Sequence, residues 1–156
     1  MFTLAAVLIG LQGLAMLVDE FYFHRKRGLG PWERVGHPVD SVAFLIPIVI
    51  SLFSFSAFTA VLYVVSAVFS CLIITKDEWV HTKECEALEN WLHAILFMLH
   101  PAILLLIYFL WQNGANQLLS LGLAATVTAF TSYQIFAWNS WATVKNQIYE
   151  NSKAHK

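Results

Sequence analysis

The sequence predicts an all-α integral membrane bundle of five transmembrane helices, with the N-terminus outside and the C-terminus cytoplasmic. Three observations lead there. The chain of 156 residues is 58% hydrophobic and only 12% charged, where a soluble domain carries about a quarter charged residues. No Asp, Glu, Lys or Arg occurs in residues 1–18, 41–75 or 90–144, and a charge-free apolar run longer than about 18 residues reads as membrane-spanning. All nine Lys and Arg residues fall in the polar segments between or after these blocks, as expected if one side of the bilayer collects them.

The first block, extended to Phe23, makes one span over about residues 2–23. Its basic run, Arg25-Lys26-Arg27, follows the apolar core, whereas a cleaved signal carries positive charge before it; a retained helix is expected. The third block is interrupted by Asn113-Gly114-Ala115-Asn116. That is a turn signal, so spans at about 88–111 and 117–140 follow. The second block is too long for one ordinary span, and its middle, SLFSFSAF, lacks Gly, Pro and Asn. Charge settles its reading. Crossing twice, at 38–54 and 57–80 with a tight hairpin near Phe53–Ala57, puts Arg25, Lys26, Arg27, Arg34, Lys76, Lys83, Lys145, Lys153 and Lys156 on one side; crossing once strands Lys76 and Lys83. The whole chain, 1–156, is then a single membrane domain with a cytoplasmic tail at 145–156 and a location in the cytoplasmic or inner membrane. Trp111 is expected at the outer interface, Trp138 and Trp141 at the inner one.

This topology gathers the acids and most of the histidines at the cytoplasmic end. Residues three or four apart share a helix face. Glu20 and His24 pair in this way at the end of the first helix, Glu78 and His81 at the end of the third, and Glu89 and His93 at the start of the fourth. In GHPVD, proline suits the first helical position, which places His37 near the N-cap and Asp40 in the first turn. Imidazole and carboxylate together suit Fe, Mn or Zn, and helical bundles build dinuclear sites from inward carboxylates and Glu-x-x-His pairs. The expected metal ligands are therefore Glu20, His24, His37, Asp40, Glu78, His81, Glu89 and His93, around two divalent ions, iron first and zinc second.

Iron would support oxygen-dependent oxidation of a lipid-like or hydrophobic substrate, with an electron-donor protein as partner. Zinc would support hydrolysis through a bound water of lowered pKa, with Glu86 as general base. His100 is ionisable at membrane depth and is assigned a catalytic role on that ground. A metal-ion transporter or carrier, and a non-catalytic membrane partner subunit, are the alternatives. Asp19 lies off the Glu20/His24 face of a regular helix and is read as a supporting group or an arginine partner, and Asp77 as a solvated acid. Membrane lipid is the expected surrounding, and no basic face suggests nucleic acid. Cys71 and Cys85 are too few for a disulfide framework.

Overall fold

The computed structural model describes residues 1–141, and every described regular element is helical. Five helices follow in order: α1 Phe2–Arg27, α2 Pro31–Ile50, α3 Ala57–Lys83, α4 Ala87–Gln112 and α5 Gln117–Asn139. Four of them, α1, α3, α4 and α5, are long and apolar enough to cross a membrane. Their outward faces carry Leu4, Leu11, Leu14, Phe58, Val65, Leu72, Met98 and Leu118 in the open, an apolar surface that only hydrocarbon solvates well. These are the properties of an integral membrane protein. α2 falls outside that set because Glu33, Arg34 and Asp40 occupy its first half. The expected tail, including His155, lies outside the described residues.

α2 begins at Pro31, seven residues before the expected Pro38. The rule invoking proline at the first helical position holds, but for the other proline. Gly30 is the N-cap, and its N–H donates to Glu33 Oε2 at 3.1 Å. Pro38 and Pro47 then sit inside a continuous helix, where each removes one backbone donor. His37 is therefore nearly two turns into α2 and does not cap it.

The hairpin between α2 and α3 turns without Gly, Pro or Asn because residues distant in sequence satisfy its carbonyls. Asn116 Nδ2 donates to Ser51 O at 2.8 Å and Trp111 Nε1 donates to Phe53 O at 2.7 Å. Ser56 and Thr59 cap the start of α3 reciprocally. Trp111 is thus buried in the bundle end and does not face the interface, and Trp138 is buried too; the side chain of Trp141 lies outside the description. Between α4 and α5 the expected turn forms, with Gly114 at φ +68°, a conformation that favours glycine.

α2 packs against α3 and α5, while α1 packs against α4. The apolar core lies toward the hairpin end, built on Phe44, Ile48, Tyr63, Ile103, Ile107 and Trp111, with Tyr63 Oη donating to Leu104 O at 2.7 Å. The other end of the bundle is filled by polar side chains.

Candidate metal centre

Four histidines from four helices meet at this polar end. Their rings form a run: His24 to His37 at 4.9 Å between centroids, His37 to His81 at 6.2 Å, and His81 to His93 at 3.9 Å. His24, His81 and His93 are each more than nine-tenths buried. Neither ring nitrogen of His81 has a hydrogen-bond partner, nor does His37 Nε2 or His93 Nδ1. Buried polar atoms normally find partners, so these ring nitrogens are free to meet a ligand.

A local departure in α1 brings in the carboxylate. Residues Asp19–His24 form a π-helical stretch, a feature frequent at functional sites. The wider turn lets Asp19 and Glu20 both reach His24. Asp19 Oδ2 lies 3.1 Å from His24 Nε2, and Asp19 Oδ1 lies 3.1 Å from His93 Nε2. The His24 Nε2 contact lacks the alignment of a hydrogen bond. Glu20, 1% exposed, takes the other side of His24: its Oε2 is 3.3 Å from Nδ1 and accepts from Gln134 Nε2 at 3.3 Å, while Oε1 accepts from Trp138 Nε1. Glu20 therefore orients His24 from behind, the place of a carboxylate that fixes a ligand's ring. Asp19 faces the shared space.

Ligand atoms close enough to share one cation come in overlapping sets: Asp19, His24, Glu89 and His93; His81, Cys85 and His93; Glu33, His37 and His81; and His37, Asp40 and Asp77. Six of the eight expected ligands belong to these sets: His24, His37, Asp40, His81, Glu89 and His93. Glu20 stands behind His24. Glu78 is exposed on α3 and lies outside them; the 3₁₀ turn Ile74–Asp77 before it directs Asp77 inward instead. Asp19, Asp77 and Glu33 join the assembly, although regular helical phase points to Glu20 over the first and Glu-x-x-His spacing to Glu78 over the second.

Two cations of the protein's own already hold four of these acids. Arg27 donates through Nη1 and Nη2 to Glu33 at 2.9 and 2.7 Å, and through Nη2 to Glu89 at 2.9 Å. Burial alone would raise the Glu33 carboxyl, but the Arg27 guanidinium and the Gly30 N–H outweigh it and hold it below the usual carboxylate range. Lys76 Nζ lies 2.7 Å from both Asp40 oxygens and 2.9 Å from Asp77 Oδ2, while Trp32 Nε1 donates to Asp77 Oδ1 at 3.0 Å. Gly36 packs against this pair: a Cβ there would stand 3.1 Å from Asp77 Oδ1. Burial pushes the Cys85 thiol up, which makes it a poor source of thiolate.

Of the two expected catalytic residues, Glu86 is exposed and pairs with Lys26 at 2.8 Å. His100 is buried two turns beyond His93, with Nε2 2.8 Å from Ser70 Oγ. A cavity of about 260 Å³ connects the levels, lined by Asp19, His24, His37, His81 and His93 at one end and by Phe44, Ile103, Leu123 and Val127 further in. A polar cluster opening into an apolar chamber is the arrangement of a small-molecule site.

Comparison of the chain with known protein families, with curated proteins and with solved structures finds no match.

Proposed function

We propose that the protein is an integral membrane metalloenzyme that hydrolyses a lipid-like substrate, using one divalent cation bound by Asp19, His24 and His93. Glu89 stands at the rim of that set, and His37 and His81 beside it. The observation that carries the reading is the convergence of four histidines with unmet ring nitrogens, two of them against Asp19, at the mouth of an apolar cavity.

The charge balance favours one ion over the two expected from sequence. Two adjacent divalent cations need several free anionic ligands to offset their repulsion. Here Arg27 holds Glu33 and Glu89, and Lys76 holds Asp40 and Asp77. Lys76 thus neutralises both acids of the His37, Asp40 and Asp77 set, where a second cation would need them. What remains is rich in imidazole and poor in free acid, a donor set that suits zinc. Such an ion supplies a bound water of lowered pKa and polarises a carbonyl. Glu20 keeps His24 in register, and the unpartnered nitrogens of His81 and His37 are bases within the same pocket. The apolar inner wall receives the hydrocarbon part of the substrate, which enters from the bilayer.

The same reading takes α2 as a fifth crossing and places the site end in the cytoplasm, because Arg25, Lys26, Arg27, Arg34, Lys76 and Lys83 gather there. A thiol reporter at Ser54 is expected to react from outside the cell; reaction from inside would reverse the orientation.

Elemental analysis of the detergent-purified full chain tests the metal directly. About one zinc per chain is expected, lost to a chelator and restored by zinc with release of protons. Less than about one tenth of any metal per chain after reconstitution would overturn the proposal. About two irons per chain, with a visible charge-transfer band, would replace hydrolysis by oxidation and bring back the electron-donor partner.

A further inference from the structure

The cavity holds a second polar level that the metal site does not use. Seven residues of helix are close to two full turns and about 10 Å of rise. Gln12 therefore lies on the Asp19 face of α1, and His100 on the His93 face of α4. Asp19 and His93 are bonded to each other at 3.1 Å, and α1 ends where α4 begins. Counting back from that contact along both helices, Gln12 and His100 reach the same depth, about 10 Å into the bundle. Both line the cavity. His100 has Nε2 held by Ser70, which is fully buried. Gln12 is 7% exposed and its Oε1 has no hydrogen-bond partner. The wall around it is apolar, with Ile9, Phe44 and Leu123.

A buried amide oxygen without a partner in a largely apolar chamber is costly, and a donor on a bound ligand would satisfy it. We infer that the cavity selects an amphiphile with its headgroup at the histidine cluster and a hydroxyl partway along its chain, bound by Gln12. A hydroxyl both donates and accepts, so it satisfies the amide in either orientation. An extended chain advances about 1.2 Å per bond, as in an extended peptide, so about 10 Å places the hydroxyl roughly eight bonds from the headgroup. Only the seat of the headgroup rests on the proposed metal site; the selection by Gln12 does not require it.

Native mass spectrometry of the full chain released from detergent reads both at once. Protein is presented with octadecanoic acid and 10-hydroxyoctadecanoic acid at equal concentration, with zinc and after chelation. The hydroxylated acid is expected to be retained about tenfold over the plain one, as one buried hydrogen bond gives. In Gln12→Leu the two are expected to be retained equally. Equal retention by the native chain overturns the inference, as does retention of neither acid, or an undiminished preference in Gln12→Leu. Should Gln12→Leu fail to fold, the native chain's own preference still decides. A preference in a chain that takes up no zinc on reconstitution sustains Gln12 as the selector while removing the proposed hydrolase; bound zinc with no preference does the opposite.

Discussion

Both ends of the bundle bury polar side chains, and they treat them in opposite ways. At the hairpin end, Ser51, Ser120, Asn116 and Trp111 bond to one another and to backbone: Ser51 Oγ donates to Ser120 Oγ at 2.9 Å and Asn116 Nδ2 reaches both Ser51 O and Ser120 Oγ. Asn116 Oδ1 is the one atom of that set without a partner. At the histidine end, five ring nitrogens from His24, His37, His81 and His93 lack one. A closed network holds helices together. A larger, open one, built from metal-binding side chains, leaves capacity for a ligand. Stability should therefore reside at one end and binding at the other, and substitutions can test that division.

Asp19→Asn has the largest expected effect. It keeps the shape but removes the carboxylate that lies 3.1 Å from both His24 and His93, so zinc affinity should fall by more than about a hundredfold while the helical fold persists. Competition with a chelator measures it. Retention of zinc at native affinity would move the centre away from Asp19.

Glu33→Gln comes next and tests the frame around the site. Arg27 is 14% and Glu33 0% exposed at the side chain, and breaking a buried pair costs about 3 kcal/mol. The pH dependence follows from the depressed folded-state value of Glu33. Its stabilisation is present above the unfolded-state pKa of about 4.3 and is lost as pH falls through the lower folded value. Denaturation in mixed micelles should show the native chain losing this increment on acidification, and the variant lacking it at neutral pH. Equal neutral-pH stability would make the Arg27 cluster dispensable.

Glu20→Gln should be milder at the metal than Asp19→Asn. Glu20 touches His24 from behind, and removing such an orienting carboxylate weakens metal binding by about 10- to 100-fold. Should Glu20→Gln be the more severe of the two, Glu20 is the ligand and Asp19 the support. Ser120→Ala is the matching change at the closed end. It should leave zinc affinity as it is and lower stability by about 1 to 2 kcal/mol, since Asn116 and Ser51 lose a partner. A change in zinc affinity there would dissolve the division between the ends.

How much of this was legible in the sequence follows from range. Charge-free blocks, the Asn113–Asn116 turn and the grouping of His24, His37, His81 and His93 at one end are consequences of composition and local pattern, so they could be read directly. The α2–α3 hairpin was placed by charge alone; what stabilises it, donors from Trp111 and Asn116, lies some 60 residues away. The start of α2 lies at Pro31 and not at Pro38 because two prolines satisfy the same local rule, and Glu33 at the third position is the signal that separates them. Asp19 lies off the Glu20/His24 face only while α-helical phase is regular. The π-helical stretch breaks that phase, and nothing in DEFYFH announces it. The Glu-x-x-His spacing favours Glu78 over Asp77, and the 3₁₀ turn reverses which of the two is buried.

Glu86→Gln is the smallest expected effect and the sharpest control on the boundary of the site. In sequence Glu86 is only three residues from Glu89, and an acid so placed invites a role as general base. In the fold the two separate completely. Glu86 is the N-cap residue of α4, with its side chain 62% exposed and its carboxylate on Lys26, itself 54% exposed. An exposed pair of this kind adds little to stability, because water solvates both partners and salt screens them. Glu89, one helical turn on, is 1% exposed and held by Arg27. Zinc content, chelator competition and the denaturation midpoint of Glu86→Gln should all match the native chain. A loss of hydrolysis with zinc still bound would return Glu86 to the site as a base and show that the α3–α4 connection folds inward when substrate arrives.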